Sequence, residues 1–266
     1  MKKEIVFIDM DGTLYQTAND VIQPSSIDAI HEMEGKGMQV FAATGRPLNF
    51  MKPILERVQF DGYVLLNGGY VLNGSFELID SNPIKTETLD DLVKLSKEKQ
   101  VGLMIHFGDE TYIYTNFYPI FEFAKYTNSL DRLYYDPTLS YHKRHPAFSC
   151  TAVTNDPHIM QEFVEAHPDL RIDLVNVKTN GFAYDIFPAD TDKSRGIQAV
   201  LDRQNLDWDQ AVTIGDSTND LHMLEKAGLG IAMGTAIDQV KDKADYVTTT
   251  VFDDGIANAL EQIYKS

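Results

Sequence analysis

Two carboxylates, Asp9 and Asp11, stand at the end of an apolar run, Ile5 to Ile8, with Gly12 directly after them. Like charges about 4 Å apart repel by ~1 kcal/mol in water and by ~4 kcal/mol at the effective dielectric near a protein surface. Such a pair persists at low cost only when a cation lies between the acids or one of them holds a proton. Either arrangement is a starting point for chemistry. The bland alternative for this stretch by itself is a solvated turn of the D-x-D-G type after a strand.

Three other apolar runs of strand length end in polar or glycine-bearing groups: Thr44-Gly45, Asn67-Gly68-Gly69, and Gly215-Asp216-Ser217-Thr218-Asn219-Asp220. In open parallel sheets, ligands bind beyond the carboxyl ends of the strands. Sharing one sheet edge would therefore bring Asp9, Asp11, Asp216 and Asp220 into one cleft, a set of hard oxygen donors that suits Mg2+. Thr44 and Gly45 are placed at an expected helix N-terminus, where backbone N–H groups favour an anion. Lys193 opens a later helix and adds a point positive charge. Cation, anion-binding backbone and lysine together describe a phosphate site with an acid pair beside it.

The elements that must position these groups follow from the apolar pattern. Continuous rather than alternating apolar strands, at Ile5 to Ile8, Met38 to Ala43 and Tyr63 to Leu66, are separated by helical segments. One such helix begins at Pro24 and carries Ile27, Ile30 and Met33 on one face, with Gly35 and Gly37 as its stop. Another is expected from Pro47, kinked or restarted at Pro53. A hairpin turns at Asn73-Gly74, while Thr13 to Ile22 has no clear period and is expected to be irregular. This order signals an α/β fold: a doubly wound, Rossmann-like parallel sheet covered by helices on both faces.

Near Pro83 the pattern changes to short strands of alternating polarity, and near Pro188 it changes back. Residues 1–82 and 190–266 are therefore expected to form one core, interrupted by an inserted α+β domain over 83–189 with helices on one side of an antiparallel sheet. The core resumes with a helix from Lys193 to Arg203, a strand from Ala211 to Ile214, and a helix from Leu221 closed by Gly228.

Composition narrows the partners. Among 266 residues, 40 acids face 23 bases, a formal charge of −17, which argues against nucleic acid or an anionic membrane as the main partner. An apolar content of 43% with 24% charged residues is ordinary for a folded chain. No stretch approaches the ~20 apolar residues of a membrane span. The one cysteine, Cys150, excludes an intramolecular disulfide, and a cytoplasmic location is expected. Oligomeric state leaves no mark in the sequence.

The four strand-end groups and the lysine resemble the haloacid dehalogenase superfamily of phosphohydrolases. Its first motif, D-x-D-G-T, is Asp9 to Thr13; its second, a Thr or Ser after a strand, is Thr44 in A-T-G-R. The third, a lysine, is Lys193, and the fourth, G-D-x-x-N-D, is Gly215 to Asp220. The insertion between the second and third motifs is similar to that of the Cof-like subgroup, subfamily IIB, with large α/β caps. The segments Ala232 to Ala236 (A-M-G-T-A) and Asp253 to Ile256 (D-D-G-I) also look like that subgroup.

The resemblance implies Mg2+-dependent hydrolysis of a small phosphorylated metabolite, a sugar phosphate or similar phosphomonoester. It implies Asp9 as the nucleophile that forms a phosphoaspartate and Asp11 as general acid and base. The metal would be bound by the Asp9 carboxylate, the Asp11 backbone carbonyl and Asp216. Thr44, Gly45, Lys193 and Asn219 would hold the phosphoryl oxygens, with Asp220 supporting the metal from close by. A cap would exclude macromolecules and choose the substrate. Two alternatives stand beside this: a phosphomutase on a sugar phosphate, and a non-catalytic phospho-ligand sensor, whose natural mark would be a lost Asp9 or Asp11.

Other candidates have blander readings. Arg46 suits either a substrate contact or a surface ion pair. His142 and His145 are expected at the surface, His222 on a helix flank, and Cys150 in the core. The group Phe107, Tyr112, Tyr114, Phe117, Tyr118 and Phe121 is expected to be mostly core, with one or two members lining a substrate pocket.

Overall fold

A computed structural model describes residues 2–175 and 181–265 of the chain. They divide into two compact units, one of Met1–Arg46, Lys52–Ser81 and Asp192–Ser266, the other of Pro47–Met51 and Asn82–Thr191.

The first unit is built on an eight-stranded sheet. Its strands are β1 (Ile5–Ile8), β2 (Gln39–Ala43), β3 (Gly62–Leu65), β4 (Tyr70–Asn73), β5 (Leu78–Ser81), β6 (Ala211–Gly215), β7 (Leu229–Ala232) and β8 (Tyr246–Val247). The order across the sheet is β8-β7-β6-β1-β2-β3-β4-β5. The six strands from β8 to β3 run parallel, and β4 and β5 turn back as an antiparallel edge. All four residues of β1 are fully buried, so both faces of the sheet are covered, as the unbroken apolar run requires. On one face Ile5, Phe7, Phe41 and Val64 pack with Ile197, Val200 and Leu201 of the helix Lys193–Gln204. The helix Pro24–Gly35 packs against β2 and against the C-terminal helix Gly255–Lys265.

Register decides what lies at the sheet edge. Ile8 pairs with both Ala42 and Ile214, and Asp9, Thr44 and Asp216 are each the first residue beyond their strand, so all three leave the sheet at one edge, Asp9 one position earlier than the other two. Ala43 pairs with Val64, and the turn that follows β3 carries Asn67 back to donate its backbone N–H to the carbonyl of Thr44 at 3.0 Å. The stretch expected to be irregular after Thr13 contains a small antiparallel hairpin, Tyr15–Gln16 with Val21–Ile22. The helix expected from Pro47 is only a 3-10 turn, Leu48–Met51, followed by a single α turn, Lys52–Leu55, with Pro53 inside it.

The second unit holds a six-stranded sheet in the order Leu133–Tyr135, Thr111–Thr115, Gly102–His106, Ser149–Thr154, Phe182–Pro188, Leu170–Val175. Its pairs are antiparallel except for Leu133–Tyr135 beside Thr111–Thr115. Helices Thr86–Lys99 and Pro157–Ala166 supply Leu89, Leu92, Met160 and Phe163 to a core with Leu103, Ile105, Cys150 and Ile186. The helix Phe117–Tyr126 places Ile120 and Phe123 in a separate cluster with Met104, Val153 and Ala183. Because side chains alternate along a strand, Leu103 and Met104 face opposite ways. Helices therefore cover both faces of this sheet, not one, and the polar alternation of its strands arises from residues such as His106 and Thr151 held within a face. Among the described residues no helix is long and apolar enough to cross a membrane.

Candidate active site

The loop after β1 is drawn tight by backbone bonds from Leu14 and Tyr15 to the carbonyl of Met10. Asp9 is 5% exposed, at the end of a fully buried strand. Its Oδ1 accepts from the Lys193 ammonium at 2.5 Å. Lys193 is the first residue of its helix, whose N-cap, Asp192, accepts from the Arg195 N–H at 2.8 Å. The same ammonium donates to Asp220 Oδ1 at 2.7 Å. The other oxygen of Asp220 accepts the backbone N–H groups of Asp216 and Ser217 at 3.0 and 2.9 Å, which closes the turn after β6.

Asp216 is turned toward Asp9 by the Thr13 hydroxyl, which donates to its Oδ1 at 2.8 Å. Gly12, at φ +92°, makes room for it: a Cβ there would lie 2.5 Å from Asp216 Oδ2. The carboxylates of Asp9, Asp216 and Asp220 gather so that one oxygen of each lies within 4.8 Å of the others.

Three carboxylates thus face one ammonium. Burial, then the charges of Asp220 and Asp216, push Asp9 well above the usual carboxylate range against the pull of Lys193. Asp216 is raised by burial and by Asp220, with the Thr13 hydroxyl opposing. Burial works against the Lys193 charge too, yet Asp220 and Asp9 raise its pKa and keep it an ammonium. The surplus negative charge, the all-oxygen donor set and the partial exposure of Asp216 fit a hard divalent cation bound by Asp9 and Asp216. Asp220 lies in the same cluster, but both its oxygens are already committed.

Asp11 makes its side-chain bonds outside this cluster. Its carboxylate is 43% exposed and accepts two bonds from the Arg46 guanidinium, at 2.7 and 2.6 Å, and one from the Thr17 hydroxyl. Burial of the group opposes its charge, but the Arg46 guanidinium and the Thr17 hydroxyl outweigh this and hold Asp11 below its ordinary pKa. The Arg46 pair is the ion-pair alternative of the sequence reading, made with Asp11 itself.

Thr44 is buried, and its Oγ1 accepts the Arg46 N–H at 3.1 Å, which bends the chain at Gly45. The following helical turn is too short to supply a helix dipole, so any anion binding at Thr44-Gly45 depends on these local donors. Asn219 donates to Asn67 Oδ1 at 3.0 Å, while its own Oδ1 is buried with no hydrogen-bond partner. Asn67, expected as one of the polar groups at the sheet edge but with no role, is 5% exposed, lies in the left-handed region at φ +52° and joins the site through Asn219. Thr13, which closes the D-x-D-G-T motif, and Thr17, which no motif marks, add the hydroxyls that bond Asp216 and Asp11. The structure thus brings Asp9, Lys193, Asp216 and Asp220 into contact, links Asn219 to Asn67, and leaves the Asp11 side chain on Arg46.

Outside this cluster, His142 is not at the surface. Its side chain is fully buried, with Nδ1 bonded to the Tyr114 hydroxyl at 3.1 Å and Nε2 to Asp90 at 3.1 Å. His145 is exposed and stacks on Tyr141. His222 is exposed and bonds Asp192 at 2.6 Å. Cys150 is buried, and burial pushes its thiol pKa up. Of the aromatic group, Phe107 and Tyr114 are core, but Phe117 and Tyr118 are 57% and 66% exposed.

Comparison with known proteins covers nearly the whole chain. Residues 6–260 match the haloacid dehalogenase-like hydrolase family. A Bacillus subtilis (strain 168) relative, 5-amino-6-(5-phospho-D-ribitylamino)uracil phosphatase YcsE, is 26% identical over 97% of this chain and 94% of its own. The phosphoglycolate phosphatase of Methanopyrus kandleri is also 26% identical, over 97% and 96% of the two chains. Among solved structures, the HAD subclass IIB sugar phosphatase BT4131 superposes with a TM-score of 0.81 at 26% identity, covering 98% of each chain.

Proposed function

The chain belongs to the haloacid dehalogenase-like hydrolases and is a phosphatase of that family; from that premise we propose that it hydrolyses a small phosphomonoester, such as a sugar phosphate, through a phosphoaspartate at Asp9 with Mg2+ as cofactor. The observation that carries this reading is the buried Lys193 ammonium bridging Asp9 and Asp220 beside Asp216, at the carboxyl edge of a parallel sheet.

In the first step a carboxylate oxygen of Asp9 forms a bond to phosphorus as the bond to the ester oxygen breaks. Asp11, which Arg46 holds below its ordinary pKa, must first take up a proton, which it then gives to that leaving oxygen. Asp11 then removes a proton from the water that attacks phosphorus, and the Asp9–phosphorus bond breaks to release phosphate. Lys193 and Asn219, with the Thr44 hydroxyl and the Gly45 N–H, are assigned to the phosphoryl oxygens, where preorganised donors stabilise the charge of an in-line transfer. Mg2+ held by the Asp9 and Asp216 carboxylates and the Asp11 carbonyl would neutralise part of that charge. Asp220 keeps Lys193 and the Asp216 backbone in place.

The specificity of the reaction is assigned to the second unit. The formal charge of −17 argues against nucleic acid as the partner, and the single, buried Cys150 accords with a reducing cytoplasm. A phosphomutase would share the phosphoaspartate; free phosphate rather than an isomeric ester as product separates the two.

The test is phosphate release from a panel of aryl, alkyl and sugar phosphates with and without Mg2+. Release should require the metal and fall by about 10³-fold or more in Asp9→Asn. Full activity in that variant contradicts the assignment.

A further inference from the structure

The reading of Asp11 as general acid leaves open what aims it. Its carboxyl group is on a loop, partly exposed, and free to rotate unless held. Arg46 holds it with both arms of a fork: Nε donates to Oδ2 at 2.7 Å and Nη2 to Oδ1 at 2.6 Å. A planar guanidinium bonded to both oxygens fixes the plane of the carboxyl group as well as its position. Thr17 donates to Oδ1 from the small hairpin, and Arg46 Nη2 reaches the Thr17 hydroxyl at 3.3 Å.

The fork is itself held. Tyr15 lies under the guanidinium, 4.9 Å from ring centre to the central carbon. The Tyr15 hydroxyl donates to Asp20 Oδ1 at 2.6 Å, and Asp20 is paired with Arg57 at 3.0 Å. Exposure separates the roles of the pair: the Arg46 side chain is 13% exposed, that of Asp11 43%. The acid is reachable and the guanidinium is largely covered, which is the arrangement of a reacting group and its support rather than of two substrate ligands.

We propose that Arg46 is a positioning residue for Asp11, presenting the carboxyl group to the leaving oxygen of the ester and lying against the carboxylate that remains once the proton has been given up. The step is unchanged: the Asp11 O–H bond breaks, the proton goes to the oxygen released from phosphorus, and the charge left on Asp11 faces the guanidinium. This inference rests on the general-acid reading of Asp11.

It predicts a dependence on the leaving group. An alkoxide needs the proton as it departs, whereas a nitrophenolate leaves without it. The quantity to measure is kcat/KM, which stops at formation of the phosphoenzyme, for an alkyl phosphate and for 4-nitrophenyl phosphate. Arg46→Met should lose roughly tenfold or more on the alkyl ester while changing little on the aryl ester, since general-acid catalysis contributes ~10²–10⁴-fold. Arg46→Lys, which keeps the charge but not the fork, should lose in the same sense and carries the test if the methionine variant folds poorly. Equal losses on both esters, or no loss on either, overturn the proposal. Asp11→Asn must show the same discrimination more strongly. If Asp11→Asn discriminates and the Arg46 variants do not, the role of Arg46 alone is refuted. If Asp11→Asn does not discriminate, the general-acid reading falls, and the inference with it.

Discussion

At the scale of single residues, the site is governed by a buried lysine whose charge is shared between two carboxylates. Removing one partner of such a set leaves the others buried and uncompensated, which costs on the order of 3–5 kcal/mol. Lys193→Met should therefore both abolish phosphate release and lower stability, measured by urea unfolding, by roughly that amount. A loss of activity with unchanged stability would mean that Asp9 and Asp220 take up protons and tolerate the change. The acids at Asp9, Asp11, Asp216 and Asp220 were legible in the sequence because they fall at, or within a few residues of, the end of a mostly apolar run of strand length. The Asn67–Asn219 and Arg46–Asp11 pairings were not. Asn67 works through a bond to Asn219, 152 positions away, and Arg46 through Asp11, 35 positions away. No local pattern encodes such pairings, and Asn-Gly-Gly by itself reads as a turn.

At the scale of elements, what matters is how closely the helix bearing Lys193 approaches the sheet. Gly196, one turn into that helix, makes the approach possible. A Cβ there would lie 2.6 Å from Val64 Cγ1 and 2.8 Å from the Gly68 backbone. Gly196→Ala should destabilise by about 1–3 kcal/mol and reduce turnover by displacing Lys193 from Asp9. Gly35, at the end of the helix Pro24–Gly35, has open space around its missing side chain. Gly35→Ala should be neutral or stabilise by up to ~1 kcal/mol, so thermal melts of the two variants should shift in opposite directions or differ by several degrees. The parallel strands were readable from their continuous apolar runs. The Tyr15–Ile22 hairpin was not, because strands of two residues are too short to show alternation. The break at Pro53 was readable in the helix from Pro47, but its apolar spacing suggests more helix than the 3-10 turn and single α turn that form.

At the scale of the whole molecule, the two compact units have separate cores, so their stabilities can respond to pH separately. In the second unit, burial raises Asp185 to a pKa of about 6, with the nearby Asp173 adding to it and the Thr151 hydroxyl opposing. For an acid whose folded pKa lies above its unfolded value, the folded state binds the extra proton. Stability is then highest below the unfolded pKa and falls as pH rises toward and past about 6. Asp185→Asn removes that loss and can still accept from Thr151, which donates at 2.8 Å. It should stabilise the second unit by up to about 3 kcal/mol near pH 7 and by little near pH 4. Equal effects at both pH values in denaturant unfolding would show that Asp185 does not titrate this way. The insertion itself was visible as a change in strand character at Pro83 and Pro188, but its coverage by helices on both faces was not, because burial of His106 and Thr151 within a sheet looks, in sequence, like exposure.

The central claim is that Asp9 carries the phosphoryl group. It is tested most directly by acid-quenching the Mg2+-supplemented protein during turnover of an active phosphate ester and reducing the acyl phosphate with borohydride. The residue at position 9 is then read by peptide mass spectrometry. The account predicts conversion of Asp9, and of no other carboxylate, to homoserine, with none in Asp9→Asn. Steady phosphate release without modification at Asp9, or with the label on another residue, would contradict it.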